Sequence, residues 1–247
     1  MLPKHALYQA ELRPEASRYI WERGALGKIG ASRRALKKAP TRVRVASRRH
    51  RVRISHRSPI RDTRTMSYLP SAPNATLLDA YAAYPEIAKP LHDLAEALMR
   101  GPSALGAGER ELIGAYVSAL NGCAFCRDAH LAAAQRFGID PAVLGQLLAG
   151  IEEAGVGTHL KPVLGYVRKL NRAPGEVVRA DAEAVLAAGW PERTLVQAAG
   201  ICGLFNLMNR IVEGLGIAND PELARMAGRM IFEKGYAGLS ELFGAGR

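Results

Sequence analysis

Residues 109–138 read ERELIGAYVSALNGCAFCRDAHLAAAQRFG, and the fold turns on how this run divides. Asn121-Gly122 is a turn signal near its middle. Before the turn, Leu112, Tyr116, Ala119 and Leu120 fall on one side of a helix predicted from Glu109 to Leu120. After it a second helix is predicted from Cys123 to Phe137, stopped by Gly138. Within that helix Cys126 lies about 60° and His130 about 20° from Cys123, both on the same side, so all three share a face. The cysteine pair opens the helix, where the dipole and the free N–H groups favour a thiolate. A Cys-x-x-Cys pair can also close a disulfide across one helical turn.

The first helix of the hairpin supplies Glu111. At ~1.5 Å per residue, Glu111 stands about 15 Å from the turn and His130 about 12 Å, so in an antiparallel hairpin the two side chains face each other at a similar level. A carboxylate beside an imidazole orients it and raises its basicity. The expected arrangement is a relay from Glu111 through His130 to a thiol, directly or through a water. A crossing angle that separated the two by much more than ~8 Å would leave no direct relay.

Outward from the hairpin the punctuation stays helical. Helices are predicted over 77–84, 87–99, from Pro141 (capped by Asp140) to Ala149, and over 158–171, 180–188, 191–215 and 220–243, with no alternating strand run. Hydrophobic residues make up 48% of the chain but aromatics only 6%, which suits helices better than sheets. The fold class is therefore all-α, and the 191–215 helix reads as the most buried. No apolar run reaches the ~18 residues of a membrane-spanning helix, and no signal-peptide pattern is visible.

The net charge of +11 is unevenly placed. Residues 1–65 hold 18 Lys+Arg against 4 Asp+Glu, a balance of +14, and residues 66–247 hold 16 against 19, a balance of −3. The division is thus a basic extension over 1–65, expected to be disordered, and a helical domain over 66–247. Three readings of the extension stay open: a tail for nucleic acid or anionic surfaces, an organellar transit peptide, or a stretch upstream of a true start at Met66. Nucleic acid is not expected as a partner except through this extension; the whole-chain pI does not make the body a nucleic-acid binder.

The pattern Glu111-x11-Cys123-x2-Cys126-x3-His130 resembles the core motif of the alkylhydroperoxidase D (AhpD)/carboxymuconolactone decarboxylase superfamily, more narrowly its peroxidase-related branch. Asn171-Arg172-Ala173-Pro174 and the stretch from Phe205 to Gly216 add to the resemblance, which covers about 67–240. It implies an AhpD-like helical fold assembled into dimers, trimers or hexamers. It also implies that Cys126 attacks a peroxide, that Cys123 resolves the product as a disulfide, and that Glu111 and His130 relay the proton. One position departs from the pattern: the best-studied peroxidases carry a His just before the second cysteine, where this chain has Phe125.

The function expected is a cytoplasmic thiol-dependent peroxidase acting on a hydroperoxide, regenerated by an external thiol, with no cofactor and no metal. A zinc site would have only Cys123, Cys126 and His130, with Cys202 or water as the fourth ligand. A c-type haem would need His, not Arg127, after the second cysteine. Alternatives are another disulfide oxidoreductase or a decarboxylase-like enzyme on the same fold, and a non-catalytic redox-responsive module with a nucleic-acid-binding arm. His92 and His159 read as surface or interface residues, and Cys202 as a small core residue. Asn206, Asn209 and Arg210 read as structural polar groups on an apolar helix.

Overall fold

The computed structural model describes residues 67–244, so the basic extension of 1–65 lies outside the described residues. Nine α-helices and no strand occur among the described residues: α1 (Leu77–Ala83), α2 (Pro85–Met99), α3 (Ala107–Asn121), α4 (Ala124–Arg136), α5 (Ala142–Ala149), α6 (Lys161–Arg172), α7 (Arg179–Ala187), α8 (Glu192–Gly214) and α9 (Pro221–Gly244). A 3₁₀ turn, Pro174–Glu176, links α6 to α7.

Local chemistry sets the helix starts. Thr76 caps α1 in a reciprocal box with Asp79, and Pro85 begins α2 where its missing N–H costs nothing. Gly106 caps α3, which starts two residues before the predicted Glu109, and its N–H donates to the Glu109 carboxylate at 2.8 Å. The helix after Asp140 begins one residue later than the sequence suggests: Pro141 sits at the cap, and the Asp140 carboxylate accepts from the Ala142 N–H.

α3 is the axis of the domain. Every residue from Arg110 to Ser118 is buried, and α4, α5, α6 and α8 all pack on it. The expectation that α8 is the most buried helix is therefore corrected. Gly108, Gly114, Ala115 and Ser118 make α3 thin enough to be approached from all sides, whereas α8 leaves Val196 and Leu207 exposed. α8 is long and apolar enough to cross a membrane, but its inner face packs on α3 and α6 and buries Thr194, Gln197 and Asn209, as a core helix does.

α9 closes the domain against α2 and α4. It is two helical segments, not the single helix the sequence suggests, because Gly235 adopts φ 64° and ψ −167°, a conformation only glycine enters freely. Before the break, Gly228 lets α9 approach α4 closely. A Cβ there would stand 2.6 Å from the Ala129 carbonyl oxygen and 2.7 Å from Ala132 Cβ. The obstacle is backbone and cannot move aside. Gly228→Ala therefore gains up to about 1 kcal/mol of helix propensity but loses about 1–3 kcal/mol to overpacking. The expected net result in a thermal melt is a Tm lower by roughly 2–8 °C.

Candidate active site

The turn between α3 and α4 is built on one residue doing two jobs. Gly122 ends α3 in the left-handed conformation, φ 76°, with its N–H on Ala119 and Ser118. The next N–H, of Cys123, returns to the Ser118 carbonyl at 3.0 Å, completing a Schellman closure. Cys123 is then the N-cap of α4, and its carbonyl receives the Arg127 N–H at 3.0 Å. Cys126 follows in the first turn of α4 and His130 one turn later.

Glu111 and His130 meet directly: the Glu111 carboxylate accepts from His130 Nδ1 at 2.7 Å. Glu111 is fully buried and gathers two further donors that the spacing argument misses. Arg100 Nη2 reaches Oε1 at 2.7 Å, and the Tyr236 hydroxyl donates at 3.1 Å to Oε1 and 3.3 Å to Oε2. Burial pushes this carboxyl up, but the hydrogen bond and charge of His130 and the Arg100 guanidinium outweigh it and hold the group below the usual range. With Nδ1 committed to Glu111, Nε2 is the free nitrogen. The edge-on contact with Phe205, ring centres 4.5 Å apart, holds the other side of the imidazole. Phe205 has that position because Gly114 has no side chain; a Cβ there would meet its ring at 2.3 Å.

Cys126 and His130 open onto one cavity of about 140 Å³. Its walls are apolar, among them Leu77, Phe125, Met208, Met226, Met230 and Ile231, and no Lys or Arg lines it among the described residues. Phe125, the residue just before the second cysteine, supplies apolar wall to this cavity. Cys123 is fully covered and does not line the cavity, while Cys126 keeps a 4% opening. The hydrogen bond with Cys123, and then burial, push the Cys126 thiol well above the ordinary range, with a hydrogen bond from Asn209 pulling the other way. A helix N-terminus alone thus does not make this thiol acidic.

Asn121, Asn171, Asn206 and Asn209 tie the turn to the core. Asn121 donates to Asn209 at 2.9 Å, Asn171 to Asn121 at 2.9 Å, Asn206 to Asn171 at 2.6 Å, and Asn209 to the Ser118 hydroxyl at 3.0 Å. The polar group on α8 is structural for Asn206 and Arg210, which bond each other, and Asn209 additionally reaches the site. Two stretches far apart in sequence therefore converge on the turn that presents the cysteines.

His92 is a correction. It is buried and lines the cavity, because its ring packs edge-on against Tyr81 and Nδ1 bonds the Ala88 carbonyl at 2.8 Å. His159 is half-exposed, beside Trp190 and Glu109. Cys202 is in the core, where burial raises its thiol to about 11. No group of three or more His, Cys, Asp or Glu side chains is placed to hold a metal ion among the described residues.

Residues 85–168 match the profile of the carboxymuconolactone decarboxylase family. No curated protein gives a significant match. The crystal structure of an AhpD-core, uncharacterised peroxidase-related protein from Ralstonia eutropha JMP134 is similar at 29% identity and TM-score 0.55, covering 61% of this chain and 78% of that one. An uncharacterised peroxidase-related protein from Silicibacter sp. TM1040 is similar at 30% identity and TM-score 0.55, covering 59% and 76%. A protein of unknown function from Agrobacterium tumefaciens, at 24% identity and TM-score 0.51, covers 59% and 99% and supports the fold alone. The chain belongs to the AhpD-like carboxymuconolactone decarboxylase superfamily.

The raised Cys126 thiol has a measurable consequence. Its alkylation by iodoacetamide, followed by peptide mass spectrometry, is expected to be still accelerating at pH 9. Cys123→Ala removes the largest cause and moves the rise to lower pH, whereas Asn209→Leu moves it higher.

Proposed function

We propose that this protein is a thiol-dependent peroxidase. The observation that carries the reading is the shared cavity: the one cysteine that opens onto it stands with an imidazole whose Nδ1 is held by a buried carboxylate, and the second cysteine lies behind the first. His130 takes the Cys126 proton through Nε2. The thiolate attacks the terminal oxygen of ROOH, the O–O bond breaks, and the departing RO⁻ takes the proton from His130 to leave as ROH. The Cys126 sulfenic acid then condenses with Cys123; the new S–S bond releases the sulfenic oxygen as water with the Cys123 proton. An external thiol donates two electrons and two protons to restore the pair.

The cavity supports a neutral, apolar hydroperoxide. An apolar cavity of ~150 Å³ takes a molecule of about the size of benzene, and this one is of that order. The lack of a lining Lys or Arg weighs against a carboxylate-bearing lactone and hence against decarboxylation on this fold. The reading takes the protein as cytoplasmic, where thiols are kept reduced. It also takes it as a homo-oligomer, to which the exposed apolar Val196 and Leu207 on α8 would contribute.

The test is thiol loss on addition of tert-butyl hydroperoxide, which is of the size the cavity takes. Wild type is expected to lose two thiols per chain and gain an internal disulfide. Cys123→Ser should stop at a trappable sulfenic acid, Cys126→Ser should be inert, and His130→Ala should slow the first step by ~100-fold or more. Wild-type thiols that ignore peroxide yet exchange with small disulfides would make the protein a dithiol oxidoreductase instead.

A further inference from the structure

The sequence pattern leads to one partner for His130, but the structure gives Glu111 three. Arg100, at the end of α2, is held as tightly as the residues of the motif. Its guanidinium lies over the rings of Phe137 and Tyr236, 5.0 and 5.2 Å from their centres. It donates to the Met99 carbonyl at 2.8 Å and the Ile231 carbonyl at 3.2 Å as well as to Glu111. The Tyr236 hydroxyl sits between both Glu111 oxygens and is 3.3 Å from His130 Nδ1.

Tyr236 is brought there by the break in α9. Gly235 turns the chain, and the Glu96 carboxylate from α2 accepts the next two N–H groups, of Tyr236 at 2.8 Å and Ala237 at 2.9 Å. Glu96 thereby caps the resumed helix and sets the register that points Tyr236 back into the site. An unbroken α9 would carry residue 236 on by the ordinary helical rotation of ~100° from its neighbour and would leave those N–H groups inside the helix.

We propose that Arg100 and Tyr236 are positioning residues that fix the tautomer and orientation of His130, and that Glu96 acts with them by seating Tyr236. Arg100 holds Oε1, so the carboxylate offers Oε2 to the imidazole in one geometry. Tyr236 bridges the two oxygens and prevents the carboxylate from rotating away. The ring is then held with Nδ1–H on Glu111 and Nε2 bare towards the cavity, the form that can accept a thiol proton. The charged and titratable groups around this centre are Glu111 and Arg110 on α3, Arg100 and Glu96 on α2, Cys126 on α4 and Tyr236 on α9, with His92 and Tyr81 also lining the cavity.

This inference rests on His130 as the proton acceptor of Cys126, and its test reads the imidazole directly. In ¹⁵N-labelled protein at pH 8.5, wild type is expected to show His130 with a protonated Nδ1 and a bare Nε2. In Tyr236→Phe and in Glu96→Ala a second tautomer, protonated at Nε2, should appear, and Cys126 alkylation should slow by ~10-fold or more, as expected for a misplaced reacting group. Arg100→Gln should do the same and Arg100→Lys should partly rescue it. Tyr236→Phe keeps the ring and its packing, so it serves even where an Arg100 variant fails to fold. A Tyr236→Phe protein that retains the single wild-type tautomer and alkylates within twofold of wild type overturns the proposal. Wild-type thiols inert to peroxide, with the tautomer shift present in the variants, would sink the peroxidase reading and leave this one standing.

Discussion

A buried carboxylate must find partners or become neutral, and Glu111 finds its partners on three other helices. Desolvating an anion costs several kcal/mol, so the charge on α3 can exist only where Arg100 from α2, His130 from α4 and Tyr236 from α9 arrive together. The arrangement couples the site to the fold. Removing one partner would leave an uncompensated charge in the interior, and that penalty is specific to one relative placement of four helices. Hydrophobic burial around α3 gathers those helices without demanding such a placement.

The second constraint is closeness. α3 carries Gly108 and Gly114 towards its neighbours, and α9 carries Gly228 against the α4 backbone. These contacts bring Phe205 onto His130 and set the cavity wall near Cys126. What results is a small apolar chamber whose polar groups are few. In such a place polar groups meet little competition from water.

Much of this was legible in the sequence because it is local. The helices from α1 to α9 announce themselves through apolar periodicity, Pro starts and Gly stops. The hairpin around Asn121-Gly122 follows from a turn dipeptide, and the level meeting of Glu111 and His130 follows from counting residues back to it. What was not legible depends on long-range encounter. Arg100 looks like any basic residue at a helix end, and Tyr236 like a core aromatic; only the meeting of α2, α4 and α9 gives them a carboxylate to bind. The break at Gly235 was hidden because an isolated glycine in a helical pattern is commonly tolerated; its signal is Glu96, 139 positions away. His92 was misread for the same reason, since its cavity is formed by segments that are distant in the chain. The expectation of an acidic thiol weighed the helix terminus without the burial and the neighbouring sulfur that oppose it.

The direct join of α3 to α4 at Gly122 and Cys123 gives the loop an unusual intolerance. Surface connections usually absorb insertions cheaply, but here the closing residue of one helix lies next to the opening residue of the other. One added residue would rotate every side chain of α4 by ~100° relative to α3. His130 would leave Glu111, Cys126 would leave the chamber and the alanines would leave α9, all in one step. A drift in length at this turn is thus not a graded change; within this fold the spacing of the dithiol from the carboxylate behaves as a gear tooth, engaged at one count and disengaged at its neighbours.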